Sequence, residues 1–359
     1  MVSFGRLARY VGGRVARAVV GVTLVLTGLY LGVDLVREAA DMTGGYGLVD
    51  VAWFLVRTAP ARIYDLFPFA ALIGAMLALG GLSARGELVA MRACGFDRGR
   101  ISTGSMAVAA LLGLAVMLLG ELVAPRLELG ARIDRERAME RQLGGGAGPS
   151  LWIRDGDLMV HAGLIAWQDD DRVVFGDLRI YALAGPARFE RIWHASTARH
   201  ADGRWLLKDA AALDPGTGRV SLHAGERALR SGLDPGVFRA LATRPRLLPI
   251  ADIVRIRRHL EDNGQEAVDY RQAFWRRMLY PVNLLAMLFA GVALLLHTGR
   301  GRGLPPAIGV FAGVSLGIGF IVVHRLILGL APVLPLPFGM THLAPAALFA
   351  LAGTWLLRR

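Results

Sequence analysis

Six stretches of this chain carry no charged residue: 18–33, 66–84, 101–120, 278–299, 303–324 and 326–357. Most match the ~20 residues that a helix needs to cross a bilayer. The first is shorter, but Asp34 at its end can reach the headgroup layer. The last is too long for one crossing. Pro332, Pro335 and Pro337 predict a loop there, which leaves 340–357 as the sixth span. The second span is expected to start near Ala52, after a short loop over 37–51, with interruptions around Pro60 and Pro68. Between the third and fourth spans the pattern changes. Runs at 158–166, 173–183, 189–200 and 205–213 have strand length, with weaker runs at 219–223 and 226–229. Asp155-Gly156, Asp202-Gly203, Asp214-Pro-Gly216 and Asp234-Pro-Gly236 punctuate them as turns. This spacing predicts a small antiparallel sandwich or jelly roll. Residues 249–261 then become helical, with Ile250, Ile253, Val254 and Ile256 on one face. The fold class expected is an α-helical polytopic membrane protein with an inserted all-β, jelly-roll-like domain. Its parts are 1–125 (spans one to three), 126–270 (the β domain and its helix) and 271–359 (spans four to six). Gly144-Gly145-Gly146 reads as the linker into the β domain.

Composition agrees with a membrane protein: 54% of residues are hydrophobic and 19% charged. The first span has a basic lead (Arg6, Arg9, Arg14, Arg17), as a secretory signal would. Its apolar core is long, however, and Arg37-Glu38-Ala39-Ala40 is a poor cleavage site, so it is read as a span. The net charge of +12 could suggest nucleic acid. Its location points elsewhere. Residues 126–269 hold 22 basic and 21 acidic residues, and the rest of the chain holds 19 against 8. That excess gathers at one set of span ends: Arg6 to Arg17, Arg85 to Arg100, Arg300 and Arg302, and Arg358 and Arg359. The positive-inside rule makes this side cytoplasmic and puts the β domain outside. Cys94, the one cysteine, then lies in a cytoplasmic loop.

A nucleotide-hydrolysing site of its own is excluded. A P-loop needs Gly-Lys-Ser/Thr, and the single lysine, Lys208, follows Leu207. If transport uses ATP, another subunit hydrolyses it. Gly313-Val-Ser315-Leu-Gly317 matches a nucleophile elbow in letters only, because that motif works on a strand–turn–helix corner. Here it falls inside a span, where Gly309, Gly313 and Gly317 line one face and permit close helix packing. No histidine begins an H-E-x-x-H motif. Asp169-Asp170-Asp171 reads as a solvated turn rather than a metal site. Charged residues at span ends are costly and often functional. Arg37, Arg62 and Arg325 are therefore candidates for lipid headgroups, with interfacial snorkelling the plain alternative. Glu121, just before Pro125, is expected to have a helix-end partner.

Residues 84–95, Ala-Arg-Gly-Glu-Leu-Val-Ala-Met-Arg-Ala-Cys-Gly, form a short amphipathic segment between spans two and three. Leu88 and Met91 give it an apolar patch, beside Glu87 and Arg92. It resembles the coupling helices with which ABC permeases dock on their ATPase; the alternative is an ordinary interfacial helix.

Several segments together resemble the LptF/LptG family of lipopolysaccharide export permeases. They are Arg9-Tyr10, Pro60…Tyr64…Pro68…Leu72-Ile-Gly74, Leu79-Gly-Gly-Leu82, Glu87-Leu-Val…Met91-Arg-Ala…Gly95, Gly120-Glu121…Ala124-Pro125 and Trp275-Arg…Tyr280-Pro281. Gly309…Gly313 and the closing basic pair complete the set. The resemblance covers nearly the whole chain and is nearer the G-type subunit than the F-type. It implies a heterodimer with an F-type permease, two copies of the ATPase LptB beneath, and the bitopic jelly-roll protein LptC. It implies lipopolysaccharide as cargo, ATP and Mg bound by LptB, and no cofactor in this chain. It places Glu87, Leu88, Met91 and Arg92 at the ATPase. It places Gly309, Gly313 and Gly317 at a lateral gate against the partner's first helix. One feature departs from the family: Arg37 is the only cation at the outer end of the first span, among Asp34, Glu38 and Asp41. Headgroup contact then falls to other arginines, to the F-type partner, or to a lipid of different charge. The alternatives are an F-type subunit or exporter of another lipid, a membrane lipid-modifying enzyme, and an ATP-independent scaffold.

Overall fold

The computed structural model describes residues 4–42, 45–95, 98–143, 151–169, 172–184, 189–201, 204–229, 245–298, 306–330 and 336–358. They form two compact units, Met1–Arg135 with Trp275–Arg359, and Glu136–Phe274. Gly144 to Gly146, expected as a linker, Asp170 and Asp171, residues 202–203 and 234–236, expected as turns, and Arg300 and Arg302 lie outside the described residues.

The first unit is helical. α1 (Phe4–Ala40) and α2 (Leu48–Ala84) form a long hairpin, and α3 (Glu87–Ala93) is a short helix after it. α4 (Arg98–Leu118) runs through a π-helical turn, Leu119–Val123, into α5 (Ala124–Leu143). After the second unit, α8 (Tyr280–Thr298), α9 (Pro306–Leu330) and α10 (Phe338–Arg358) complete the bundle. Among the described residues, six helices are long and apolar enough to cross a membrane. α2 is the hub, in contact with α1, α4, α8 and α9. It is one continuous helix with Pro60 and Pro68 inside it, not the interrupted span expected from the sequence. Prolines are tolerated in membrane helices when neighbours satisfy the carbonyls they leave unbonded. Likewise the helix of the third span does not stop at Pro125: the candidate span runs Gly99–Arg132, and the helix continues beyond it to Leu143.

The core of this unit joins Val11, Val15 and Val19 of α1 to Leu72, Met76 and Leu79 of α2 and Leu284, Leu288 and Val292 of α8. The α1 residues repeat every four positions, as one helical face requires. Gly74 sets the closest approach. A Cβ there would lie 2.6 Å from the Val19 Cα, so only glycine lets α1 and α2 meet at this level. Leu24, Val25 and Leu29 of α1 and Phe311, Ile318 and Leu326 of α9 stay exposed, as apolar surface suited to lipid or to a membrane partner.

The second unit holds a six-stranded antiparallel sheet in the order β1 to β6. The strands are β1 (Leu151–Asp155), β2 (Leu158–Asp169), β3 (Arg172–Leu183), β4 (Phe189–Ala201), β5 (Arg204–Asp214) and β6 (Arg219–Leu229). The all-β insertion is present. β1 was not anticipated, and the two weak runs are a single strand, β6. The pairing breaks at one level across neighbouring strands, at Gly163, Asp177, Ser196 and Asp209. Asp177 and Asp209 have positive φ there, 49° and 51°. The sheet therefore carries a transverse crease. Ile153, Val160, Leu178, Ile180, Trp205 and Leu207 form its core. α6 (Ile250–Asp262) buries Ile253, Ile256 and Leu260 against Ala267 and Ala273 of the following segment. Asn263 Oδ1 accepts a 2.6 Å hydrogen bond from the Gly156 N–H, tying the end of α6 to the β1–β2 turn. α7 (Val268–Met278) carries the chain back into the helical unit.

Candidate functional site

Polar side chains concentrate at the two ends of the helical unit. At the end that holds α3, Gly86 turns the chain with φ 72°, a left-handed conformation that glycine adopts without strain. α3 then presents Glu87 to α1. The Tyr10 hydroxyl donates to Glu87 Oε2 at 2.8 Å, and Arg14 donates to the Tyr10 oxygen at 2.8 Å. Arg14 and Arg85 both lie near Glu87 Oε1, at 3.9 and 3.8 Å. Leu88 and Met91 share one face of α3 and are buried in the bundle core. Val89, Ala90, Arg92 and Ala93 are the exposed face.

At the other end the dominant ion pair joins α1 to α2. Arg62 Nε donates to Asp34 Oδ2 at 3.0 Å, both side chains about one-tenth exposed (10% and 11%). The Arg62 guanidinium also lies 5.0 Å from the Tyr30 ring centre. Arg37 is 3.8 Å from Asp34 but largely open to solvent. Nearby, Arg135 of α5 donates to Glu38 at 2.6 Å and to Asp41 at 2.7 Å. Tyr46 donates to the same Glu38 carboxylate at 3.2 Å. Burial and the adjacent Glu38 charge push the Tyr46 phenol up to about 12, so it stays a donor at neutral pH.

The π-helical turn holds a second polar node. The Ala124 N–H bonds back to the Leu119 carbonyl, and Pro125 has no N–H to offer Gly120. Arg277 of α7 takes the Gly120 carbonyl at 3.2 Å and Glu121 Oε2 at 2.7 Å. Pro68 likewise leaves the Tyr64 carbonyl without its helical donor, and the Tyr280 hydroxyl supplies one at 3.1 Å. The Tyr64 and Tyr280 rings stack at 4.5 Å. A Cβ at Gly120 would lie 2.1 Å from the Tyr64 ring, so this glycine makes room for the stack. Two proline-released carbonyls are thus satisfied from other helices, and α2, α4 and α7–α8 are locked together.

Beside this node a cavity of about 260 Å³ opens between α2, the α7–α8 junction and α9. Phe69, Leu284, Met287, Phe320 and Ile321 line it, with Tyr64, Asp65, Arg276, Tyr280, Asn283, His324 and Arg325 as its charged and polar residues. Among the described residues no three His, Cys, Asp or Glu side chains cluster as metal ligands.

The model of the lipopolysaccharide export system permease LptF/LptG matches residues 9–359. The chain belongs to the LptF/LptG family. It is 28% identical to the lipopolysaccharide export system permease protein LptG of Escherichia coli K12 over 366 residues, covering 100% of this chain and 99% of that protein. It is also 28% identical to LptG of Haemophilus influenzae Rd over 362 residues, 98% of each.

Three expectations for an LptF/LptG permease need correction. Leu88 and Met91 are not an outward docking patch. A seven-residue helix holds to the bundle only by burying its apolar pair, and the outward face is Val89, Ala90, Arg92 and Ala93. Gly309, Gly313 and Gly317 pack within the chain rather than against a partner's first helix. A Cβ at these positions would meet Met76, Ile73 and Phe69 of α2 at 3.0–3.4 Å. Arg62 is engaged by Asp34 and buried, so it is not an open headgroup contact. Arg37 and Arg325 are exposed, and Arg325 lines the cavity. Glu121 has its expected partner, Arg277. Tyr64, Gly74, Arg276, Arg277 and Tyr280 were not singled out from sequence as site residues. The signal for some of them was there: Pro68 and Pro125 each release a carbonyl that some side chain must satisfy.

Proposed function

We propose that this chain is the G-type permease subunit of an ATP-driven exporter that extracts lipopolysaccharide from the inner membrane toward a periplasmic bridge. The family match from residue 9 to the last residue is the observation that carries this reading. Its relatives' names supply the cargo. A six-span bundle with an all-β insertion between the third and fourth spans suits it. The chain has no P-loop, so the ATP and Mg bind a separate cytoplasmic ATPase, two copies of LptB, and this subunit is not itself an enzyme. An F-type permease completes the heterodimer and LptC joins it.

The arginines at the α1, α3–α4 and α10 ends support a topology with both ends of the chain and α3 on the cytoplasmic side and the β unit on the periplasmic side. ATPase docking then falls to Val89 and Arg92, with Glu87 holding α3 against α1 through Tyr10 and Arg14. α9 serves the lateral gate through its exposed stripe (Phe311, Ile318, Leu326) rather than its glycine face. Arg37 and Arg325 are the open headgroup candidates of the set. A native pull-down of the tagged chain with mass spectrometry of bound protein and lipid tests the reading. Co-purification of an ATPase, an F-type permease and lipopolysaccharide is expected. Recovery of the chain alone, with no ATPase under any nucleotide condition, would contradict it.

A further inference from the structure

α1 is held in two different ways along its length. Its inner half is pinned by apolar packing: Val11, Val15 and Val19 are buried in the bundle core, and Gly74 of α2 meets the Val19 backbone. Beyond Val19 that packing ends. Among the described residues, only Thr27 and Asp34 of the outer half are buried, and both are polar. The Thr27 hydroxyl has no hydrogen-bond partner among them. Leu24, Val25, Leu29 and Val36 are exposed. What fixes this half is charge. Asp34 meets Arg62 of α2, both side chains buried, and a buried pair is costly to part. One turn further on, Arg135 of α5 grips the end of α1. Its Nε donates to Glu38 and its Nη2 to Asp41, so one planar guanidinium serves two carboxylates. The ring centres of Tyr46 and Phe54 lie 5.8 and 5.9 Å from the guanidinium carbon and seat it. α5 has a separate tie to α2, where Arg57 donates to Asp134. All of these residues belong to the helical unit. Unlike the Asp34–Arg62 pair, the Arg135 cluster is open to water, with the Asp41 side chain 53% exposed. Water solvates such partners when they separate, so parting them costs little.

We propose that Arg135 is the latch of a movable arm, opened once in each transport cycle. The arm is the outer half of α1, which pivots near the Asp34–Arg62 pair. α5, tied to α2, is the fixed post. With the latch shut, as in this structure, Arg135 ties the arm to α5. With it released, no apolar packing beyond Val19 keeps the arm in place, and it swings away. Arg135 is a positioning residue in this role: it acts through the place it gives α1. The consequence for transport rests on the export reading; the movement itself does not.

The test uses the complete purified complex in nanodiscs. Cys94 is replaced by serine, and spin labels are placed at Val36 of α1 and Leu122 of the π-helical turn, both exposed. Double electron–electron resonance reads the distance between them. Without nucleotide one population is expected, and ATP with vanadate should add a longer one. Arg135→Gln should show the longer population without nucleotide, and the exchanged pair Glu38→Arg/Arg135→Glu should restore the short one. A distance that never changes with nucleotide while the latch residues are intact would overturn the proposal. That readout does not depend on any latch variant folding. A second experiment separates a latch from a static brace. Glu38→Cys/Arg135→Cys is bridged with a reducible bis-methanethiosulfonate. A latch that must open predicts ATP turnover without lipopolysaccharide release while the bridge is in place. Reduction should return release to the level of the unbridged variant. Normal release from the bridged complex would overturn the proposal. If the wild-type complex releases no lipopolysaccharide at all, the export reading fails, and the spin-label distances still decide the latch.

Discussion

Asp34 and Arg62 show what a single charged residue can and cannot disclose. Each was legible in the sequence as a charge at the end of a span. Their partnership was not, because 28 positions separate them and only the α1–α2 hairpin brings them to 3.0 Å. Arg62 therefore read as a headgroup contact when it is a strut. Asp34→Ala would leave the Arg62 cation buried without its main partner, a loss of about 3–5 kcal/mol. Thermal unfolding of the detergent-purified complex should show it as a clear fall in Tm. An unchanged Tm would mean that the pair is solvated and structurally idle. Gly120 and Tyr280 were legible only as family letters, and Arg277 was not singled out at all. Their physical reason is the missing N–H of Pro125 and Pro68, and recognising which side chain answers each loss requires the packing of helices far apart in sequence.

Periodicity located the spans well and the interruptions badly. Pro60 and Pro68 in α2 looked like breaks, and Pro125 at the start of α5 like the exit from the membrane. In the bundle, side chains from other helices take up two of the released carbonyls and the helices continue. The short helix α3 was found, but its orientation was reversed: hydrophobicity alone does not say whether Leu88 and Met91 face a partner or their own bundle. Substitutions separate the two faces. Val89→Asp with Arg92→Glu should sharply reduce ATPase co-purification while the protein accumulates normally in the membrane. Leu88→Asp should lower accumulation itself, since a charge in the bundle core costs several kcal/mol. If the exposed pair has no effect on co-purification, docking lies elsewhere. The glycine face of α9 was correctly read as a packing surface and assigned to the wrong neighbour. Gly313→Leu should force α9 away from Ile73 and Met76 of α2, costing about 1–3 kcal/mol by overpacking. Gly313→Ala meets the flexible Met76 sulfur first, at 3.2 Å, and should be nearly silent. Export assays and Tm together check this; equal tolerance of both would place that face in lipid. The crease in the sheet left no simple pattern, since Asp177 and Asp209 read as ordinary polar positions.

At the scale of the molecule, composition and arginine placement already indicated a polytopic protein with an inserted β domain, because bilayer thickness and the cost of translocating arginine act on sequence directly. Which surfaces meet other chains was not legible, since lipid-facing and partner-facing helices are equally apolar. Orientation can be checked at described positions. Native Cys94, exposed after α3, should label only from the cytoplasmic side. A cysteine at Thr217, in the β5–β6 turn, should label only from the periplasm once Cys94 is replaced by serine. Labelling of both from one side would require an odd number of spans in place of an even one. As proposed, the chain is a working half of a lipopolysaccharide exporter. The most direct measurement is release of lipopolysaccharide from proteoliposomes containing this chain, its F-type partner, LptC and the ATPase. The account predicts release that requires ATP and falls to background when this subunit is omitted or carries Val89→Asp/Arg92→Glu. Release that persists without this chain, or ATP turnover that never moves lipopolysaccharide while moving another lipid, would contradict it.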